Sequence, residues 1–303
     1  MDERRSSHET CLRAVFVGRI VCLAAVATLA SADGARAQRP PTTVVMDGRG
    51  YVYYSDLQTV WRISPTGHRS PAVIGVRSRQ LSLDAADRLF GDDVSTDDIT
   101  GRPFHRIWRL DPDGSVHDVI PRRPGYLADY GDFGFTRDRD GVSYVLQVEG
   151  GGALVRIGAT GRVSRTTLPR PDPAFALPLQ DGRIAVTAGR DLLRVDPRRQ
   201  QASVWFADLA RVTPRVREVG DRNALLGMWF DRDGRLHVAS YAGAAVVMVE
   251  RGGSASVVAR SPAGWSPTGG LAPADGSLWL LEASTGGGVR VRRIGPDGEE
   301  TVF

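Results

Sequence analysis

Beyond Ala37 the chain reads as short apolar runs that alternate with polar positions at a period of two, each bounded by Asp, Gly or Pro. VWRISPTG, IWRLDPDG, LVRIGATG, LLRVDPRR, VVMVERGG and VRRIGPDG are six versions of one phrase, a strand that runs into a tight turn. Interleaved with them are six versions of a second phrase, a turn that runs into a strand: DGRGYVYYSD, DAADRLFGDD, DRDGVSYVLQ, QDGRIAVTA, DRDGRLHVAS and ADGSLWLLE. Alternation rich in β-branched and aromatic residues, punctuated by turn residues, predicts short strands. No stretch of this region carries the i, i+3, i+4 spacing of a helix.

The first phrase keeps its register closely. Arg62, Arg109, Arg156, Arg194 and Arg293 share one position, with Met248 in the sixth copy. Five residues later stand Gly67, Gly114, Gly161, Gly253 and Gly298, with Arg199 as the exception. A glycine at a fixed offset supplies the positive φ of a tight turn. Self-similarity at a period of about 44 residues, four strands per unit, predicts an all-β fold: a six-bladed β-propeller with four antiparallel strands per blade, spanning 38–303. A solenoid would need shorter and more uniform repeats.

Residues 1–37 differ. A charged start precedes the apolar run IVCLAAVATLA (Ile20–Ala30), and an A-x-A pattern follows at Ala35, Arg36 and Ala37. That combination predicts a secretory signal peptide cut before Gln38, and hence a secreted or periplasmic protein. The run is too short to span a bilayer, and no membrane span is expected in the mature chain. Both cysteines, Cys11 and Cys22, lie in this segment, so no disulfide or thiolate metal site is expected after processing. The net charge of +4 comes from arginines and acids interspersed along the chain, with no lysine. Nucleic acid as a partner would require a basic patch, and none stands out. The G-x-S-x-G, P-loop and dinucleotide fingerprints are absent from the sequence.

The recurring D-x-D-G-x-Φ-x-V, followed by Φ-W-R-Φ-x-P-D-G, resembles the superfamily of NHL, streptogramin-lyase-like and gluconolactonase-like propellers over almost all of 38–303. For gluconolactonase-like members the resemblance implies a divalent cation (calcium, magnesium or zinc) held at the channel by Glu, Asn and Asp, where it polarises a lactone carbonyl. For streptogramin-lyase-like members it implies a histidine base that opens a ring ester with metal help. The asparagine of the first group belongs to an N-G-Φ-Φ-Φ-D-x-D-G phrase. Its nearest match here is LGMWFDRDG (Leu226–Gly234), where Leu226 stands in the Asn place, with Gly269 in blade 6 and Phe133 in blade 3. The ligand set is therefore incomplete and the cofactor stays open. The D-x-D-G acids read as turn caps, because they lack the alternating oxygen ligands of a calcium loop.

With strands A to D running outward from the axis, the A–B and C–D turns form one short, regular face. The B–C loops and D–A crossovers form the other, and length variation concentrates there. GDDVSTDDITGRPFHRIW (Gly91–Trp108) is the longest B–C connection, in blade 2; FADLARVTPRVREVGDRNA (Phe206–Ala224) is the longest crossover, leading to blade 5 across the ring. Irregular loops on a rigid scaffold are where binding groups sit. Asp93, ending a B strand, and His105, placed on that face as the only histidine free of a strand or tight turn, are the candidate catalytic pair. His68 and His117 follow C–D turns, and His237 occupies the core slot of Trp279. Candidate ligand-binding residues are Asp56, Asp92, Asp97, Asp98 and Glu282 around the channel mouth. The crossover into blade 3 adds Arg122, Tyr126, Tyr130 and Asp132, and the long crossover adds Arg217 and Glu218. Such mixed acids, guanidinium groups and phenols suit a small polar molecule or a protein partner. The alternative reading is a metal-assisted lyase or hydrolase of small esters or lactones.

Overall fold

The computed structural model describes residues 40–96, 99–100, 103–111, 113–124, 132–138, 140–148, 150–158, 160–250 and 252–303; for 96, 103, 123 and 132–134 it describes the backbone alone. The expected signal peptide lies outside the described residues. These residues form six sheets, each of four antiparallel strands arranged in chain order from one edge to the other. Blade 1 comprises β1 (Val44–Met46), β2 (Val52–Ser55), β3 (Thr59–Ile63) and β4 (Arg69–Ile74). Blade 2 comprises β5 (Leu81–Leu83), β6 (Leu89–Thr96), β7 (Pro103–Leu110) and β8 (Val116–Pro124). Blade 3 comprises β9 (Asp132–Arg137), β10 (Ser143–Gln147), β11 (Ala153–Ile157) and β12 (Val163–Thr167). Blade 4 comprises β13 (Pro173–Pro178), β14 (Ile184–Ala188), β15 (Asp191–Asp196) and β16 (Gln201–Phe206). Blade 5 comprises β17 (Leu225–Phe230), β18 (Leu236–Ser240), β19 (Ala245–Val249) and β20 (Ala255–Arg260). Blade 6 comprises β21 (Trp265–Leu271), β22 (Leu278–Ser284), β23 (Val289–Ile294) and β24 (Glu300–Val302).

The first strand of every blade touches the first strand of both neighbours, from β1 and β5 round to β21 and β1, which closes a six-bladed propeller. Each blade is built from consecutive residues, so no strand is exchanged between the first and last blades. The seam between them is closed by side chains. Phe303 stacks on Trp279 at 5.6 Å and 12° and reaches the turn of blade 1 at Gly67. At Gly67 and Gly298 φ is +85° and +84°, the conformation that the repeated glycine was expected to supply. Blade 4 lacks that glycine, and Gln200 takes the positive φ, at 55°.

Burial explains the sequence pattern. The second strands β10, β14 and β18 are buried at every position, because both faces of each sheet lie against a neighbouring blade. The outer strand β20 alternates between half-buried and exposed. Trp108 shows how a seam is filled. Its ring is fully buried with Tyr53, Val60 and Val73 of blade 1, and its indole N–H donates to Ser78 Oγ and the Asp92 carbonyl, both at 3.1 Å. The ring lies flat on Gly91, where a Cβ would collide with it. The arginines of the repeated phrase lie across the blade surface and end on turn acids or rings, as expected. Arg109 meets Asp111 at 2.7 Å, Arg194 meets Asp181 at 3.3 Å, and Arg62 stacks over Tyr51 at 5.1 Å. His237 is a core residue: it stacks on Trp229 at 5.6 Å and its Nε2 contacts Asp231 at 3.1 Å.

This packing can be tested at two of its residues. Trp108→Ala empties a seam and breaks two hydrogen bonds, so urea unfolding should show a loss of about 3–5 kcal/mol. Burial pushes the His237 imidazole below its ordinary value of 6.5, against the raising effect of Asp231. The unfolded chain therefore binds a proton near pH 6.5 that the folded chain resists, and stability falls as pH drops below that value. The melting temperature should decline between pH 7.5 and 5, and less steeply in His237→Phe; an unchanged slope would exclude His237 as the group responsible.

Candidate functional site

The stretch expected to be the longest loop is mostly a hairpin. β6 and β7 pair from Leu89 with Leu110 to Thr96 with Pro103, so His105 lies inside a strand, opposite Val94, and is 2% exposed. Asp92 shares its side of the sheet and is also buried; it accepts from the backbone N–H groups of Arg79 at 2.8 Å and Gln80 at 3.1 Å. Burial pushes the Asp92 carboxyl above the ordinary carboxylate range, with His105 and those N–H groups pulling the other way. Asp93 points to the opposite side, into the seam with blade 1. There it accepts from the Arg77 N–H at 3.0 Å and from Arg106 Nε at 2.9 Å, while Arg106 also meets Asp118 at 2.9 Å.

Asp56 and Glu282 hold the place of Asp93 in blades 1 and 6, six residues past the last turn residue in each case. Neither lines the channel. Asp56 caps its own turn, accepting from the N–H groups of Gln58 at 2.9 Å and Thr59 at 2.8 Å and from the Trp61 indole at 2.7 Å. Glu282 is fully buried and accepts from Arg290 at 2.8 Å and Arg292 at 3.1 Å; Arg292 continues to Glu300 and to the Arg260 carbonyl of blade 5. The physical reason is common to all three. Strand side chains project from the two faces of a sheet, and in a propeller both faces are seams; only the free edge of the first strand borders the axis. Arg122 is exposed on β8 with its guanidinium over the Phe104 ring at 4.4 Å. Asp132 opens β9. Asp97, Asp98, Tyr126 and Tyr130 lie outside the described residues.

The hydrogen-bonded A–B turns also fix which residues share the level of Leu226. They are Thr42, Arg79, Phe133, Ala174 and Thr268, so blade 6 contributes Thr268 and not the Gly269 expected from the sequence. At this level none of these six positions carries a carboxylate or amide side chain. Near it the first strands of blades 1, 5 and 6 almost touch: a Cβ on Gly227 would collide with the carbonyls of Thr42 and Thr268, and one on Gly269 with Thr42. Among the described residues no three His, Cys, Asp or Glu are grouped to hold a metal ion.

The loop-rich face opens instead over blades 5 and 6. The long crossover is held by two short 3₁₀ turns, Leu209–Val212 and Asp221–Asn223. Between them Arg217 binds the Tyr241 hydroxyl at 2.7 Å and the carbonyls of Gly264 at 3.2 Å and Ala283 at 3.3 Å, and stacks over the Tyr241 ring at 4.6 Å. This clasp shapes one wall of a cavity of about 640 Å³, whose other walls come from the blade 5 loop and the crossover into blade 6. Its one carboxylate is left open. Glu218 is exposed and, among the described residues, no hydrogen bond or ion pair holds its carboxylate. Ser266 is 1% exposed and its hydroxyl has no partner; the Ser261 hydroxyl is likewise buried and unpartnered. Trp265 supplies a ring, with Arg290 stacked on it at 4.0 Å. A free carboxylate, a guanidinium and an aromatic wall can bind a small molecule rich in hydrogen-bonding groups.

Of the residues around this cavity, Arg217 and Glu218 were candidates from sequence, and Ser261, Trp265 and Ser266 were not. They sit in RSPAGWS, a crossover whose one visible signal is a tryptophan and two serines around Pro and Gly. Among the described residues no helix is long and apolar enough to cross a membrane.

By sequence, neither a family profile nor a curated protein matches the chain. By structure, many solved proteins do. Virginiamycin B lyase from Staphylococcus aureus superposes with a TM-score of 0.54 at 14% identity, over 87% of this chain and 84% of that one. A gluconolactonase from Xanthomonas campestris gives 0.56 at 14% identity, over 80% and 83%. The extracellular domain of a putative one component system from Bacteroides thetaiotaomicron gives 0.50 at 14% identity, over 86% of this chain and 36% of that one. At such identities the likeness is one of fold, and the chain is a six-bladed β-propeller of the architecture common to virginiamycin B lyase, gluconolactonase and an extracellular domain of a different kind.

Proposed function

We propose that this chain is an exported binding protein that takes a small polar ligand in the cavity over blades 5 and 6. The observation that carries the reading is the exposed carboxylate of Glu218, which no hydrogen bond or ion pair holds among the described residues, in the wall of a cavity that Trp265 and Ser266 also line. Asp93 and Glu282 are engaged in the seams and Asp56 in its own turn, so the ligand reading rests on the long crossover. In the alternative reading, an ester- or lactone-opening enzyme, the reacting groups would have to come from the same cavity or from outside the described residues.

A thermal-shift screen of sugars, amino acids and small carboxylic acids tests the reading. A ligand present at 100 times its Kd stabilises by about 2.7 kcal/mol. At least one such class should raise the melting temperature, and Glu218→Ala and Ser266→Ala should each weaken its binding about tenfold without lowering the unliganded melting temperature by more than a few degrees. Cation-dependent turnover of a lactone or cyclic ester that survives Glu218→Ala would sink the binding reading in favour of the enzyme. Export has a separate check: the chain isolated from its own host should begin at Gln38, and an amino terminus at Met1 would refute it.

A further inference from the structure

We propose that the cavity over blades 5 and 6 takes a zwitterion: a free amino acid with an ammonium, a carboxylate and an apolar side chain. The proposal rests on the reading of that cavity as a binding site and adds the charge and the body of its occupant. Three ionised side chains line the cavity, Arg217, Glu218 and Arg260. Glu218 belongs to the long crossover. Arg260 ends β20, where its residue pairs with Ala245 and its carbonyl accepts from Arg292 at 2.8 Å. Both are exposed, and among the described residues no hydrogen bond, ion pair or ring contact holds the Glu218 carboxylate or the Arg260 guanidinium. The two line one cavity of about 640 Å³ without pairing, so each presents its charge to an occupant.

The signs of these charges select the ligand. A plain carboxylic acid gains Arg260 but is repelled by Glu218. A plain amine gains Glu218 but is repelled by the guanidinium groups. An uncharged molecule forms an ion pair with neither. A molecule that carries both an ammonium and a carboxylate pairs with both, and the guanidinium can hold the carboxylate by two parallel hydrogen bonds. Arg217 favours the same end of the ligand. Its hydrogen bonds go to the Tyr241 hydroxyl and to the carbonyls of Gly264 and Ala283, so no acid offsets its charge. Arg290, stacked on Trp265, is by contrast paired with Glu282 at 2.8 Å.

The rest of the wall sets the body of the ligand. Val216 is 64% exposed, and Pro262 and Ala263 beside the Trp265 ring are apolar as well. None of these four packs into the blade cores, where the crossover instead places Leu209, Val212 and Val219. Their apolar surface is therefore available to an occupant. A few charged groups that fix orientation, set among apolar and aromatic walls, are the usual composition of a small-molecule site. An amino acid with an aliphatic or aromatic side chain supplies a partner for each part of this wall.

Isothermal titration calorimetry on the purified protein tests this with L-leucine, isocaproate and isoamylamine, the last two lacking the ammonium and the carboxylate of leucine in turn. Leucine should bind, and each of the others should bind at least tenfold more weakly. Glu218→Gln should remove the advantage of leucine over isocaproate, and Arg260→Gln its advantage over isoamylamine. Near-UV circular dichroism establishes that both variants are folded. Equal binding of the three compounds by the native protein, or preferences that both folded variants retain, would overturn the proposal. A sugar that binds the native protein and is lost in Glu218→Ala, while leucine fails to bind, would leave the polar cavity standing and overturn the zwitterion alone. Failure of every sugar, amino acid, carboxylic acid and amine to bind would overturn both.

Discussion

The structure depends on one constraint: each four-stranded sheet has both of its faces covered by other sheets. A sheet in a sandwich can present one face to water, and its strands then alternate apolar and polar. Here that alternation survives on the outer strand, as in β20, and vanishes on the second strand, where β10, β14 and β18 are buried throughout. A polar side chain on such a strand must bring its partner with it. Glu282 meets this requirement with Arg290 and Arg292, and Asp93 with Arg106 and the Arg77 N–H. Buried ion pairs of this kind add little net stability compared with apolar packing, but leaving one member alone costs several kcal/mol. The acids at the strand ends are thus read most simply as paired occupants of seams.

The same constraint separates the two faces of the ring. On the turn face the acids hold their own turns together. Asp231 accepts from the backbone of Asp233 and Arg235 at 2.9 Å and from Arg235 Nε at 2.7 Å. Burial works against the Asp231 carboxylate, but its hydrogen bonds from His237 and Arg235 outweigh that and hold it down to about 2. Those turns are short because they have only to reverse the chain. On the other face the connections must travel from the outer edge of one blade to the axis of the next, so they have length to spare. Over blades 5 and 6 that length is organised by Arg217, which joins the crossover to Tyr241, Gly264 and Ala283. The cavity beside it exists because a single guanidinium fastens three segments distant in sequence.

The architecture was legible because repetition is a property of the sequence itself. Six phrases with an arginine in five of them, and a glycine at constant offset in five, specify six blades, and the turns at Gly67 and Gly298 adopt the backbone that the glycines require. The candidate site was legible only in part. Sequence position tells that Asp56, Asp93 and Glu282 end equivalent strands; it does not tell which neighbour their side chains meet, and in a closed ring that decides whether an acid is engaged or open. His105 was misplaced for a different reason. Polar residues on either side made 91–108 resemble a loop, whereas backbone pairing carried the hairpin out to Thr96 and Pro103 regardless of side-chain polarity. The cavity over blades 5 and 6 was harder still, since Glu218, Ser261 and Ser266 converge only after the ring has closed.

How the ring closes is settled near the axis, at Thr42. Many closed sheets are fastened by pairing the two ends of the chain within one blade; here the blades are each continuous, and the fastening must come from elsewhere. Thr42 is buried, and its N–H and hydroxyl both donate to the Arg79 carbonyl of blade 2, at 2.8 and 3.3 Å. Its own carbonyl lies where a Cβ of Gly227 in blade 5 or Gly269 in blade 6 would be. One residue therefore bonds forward into the second blade and packs backward against the last two. Glycine at both positions is what permits the approach, since any side chain would push the first strands apart and widen the ring. The first strands of blades 1, 5 and 6 therefore come together at this level of the axis, and closure of the ring depends on two positions that carry no side chain.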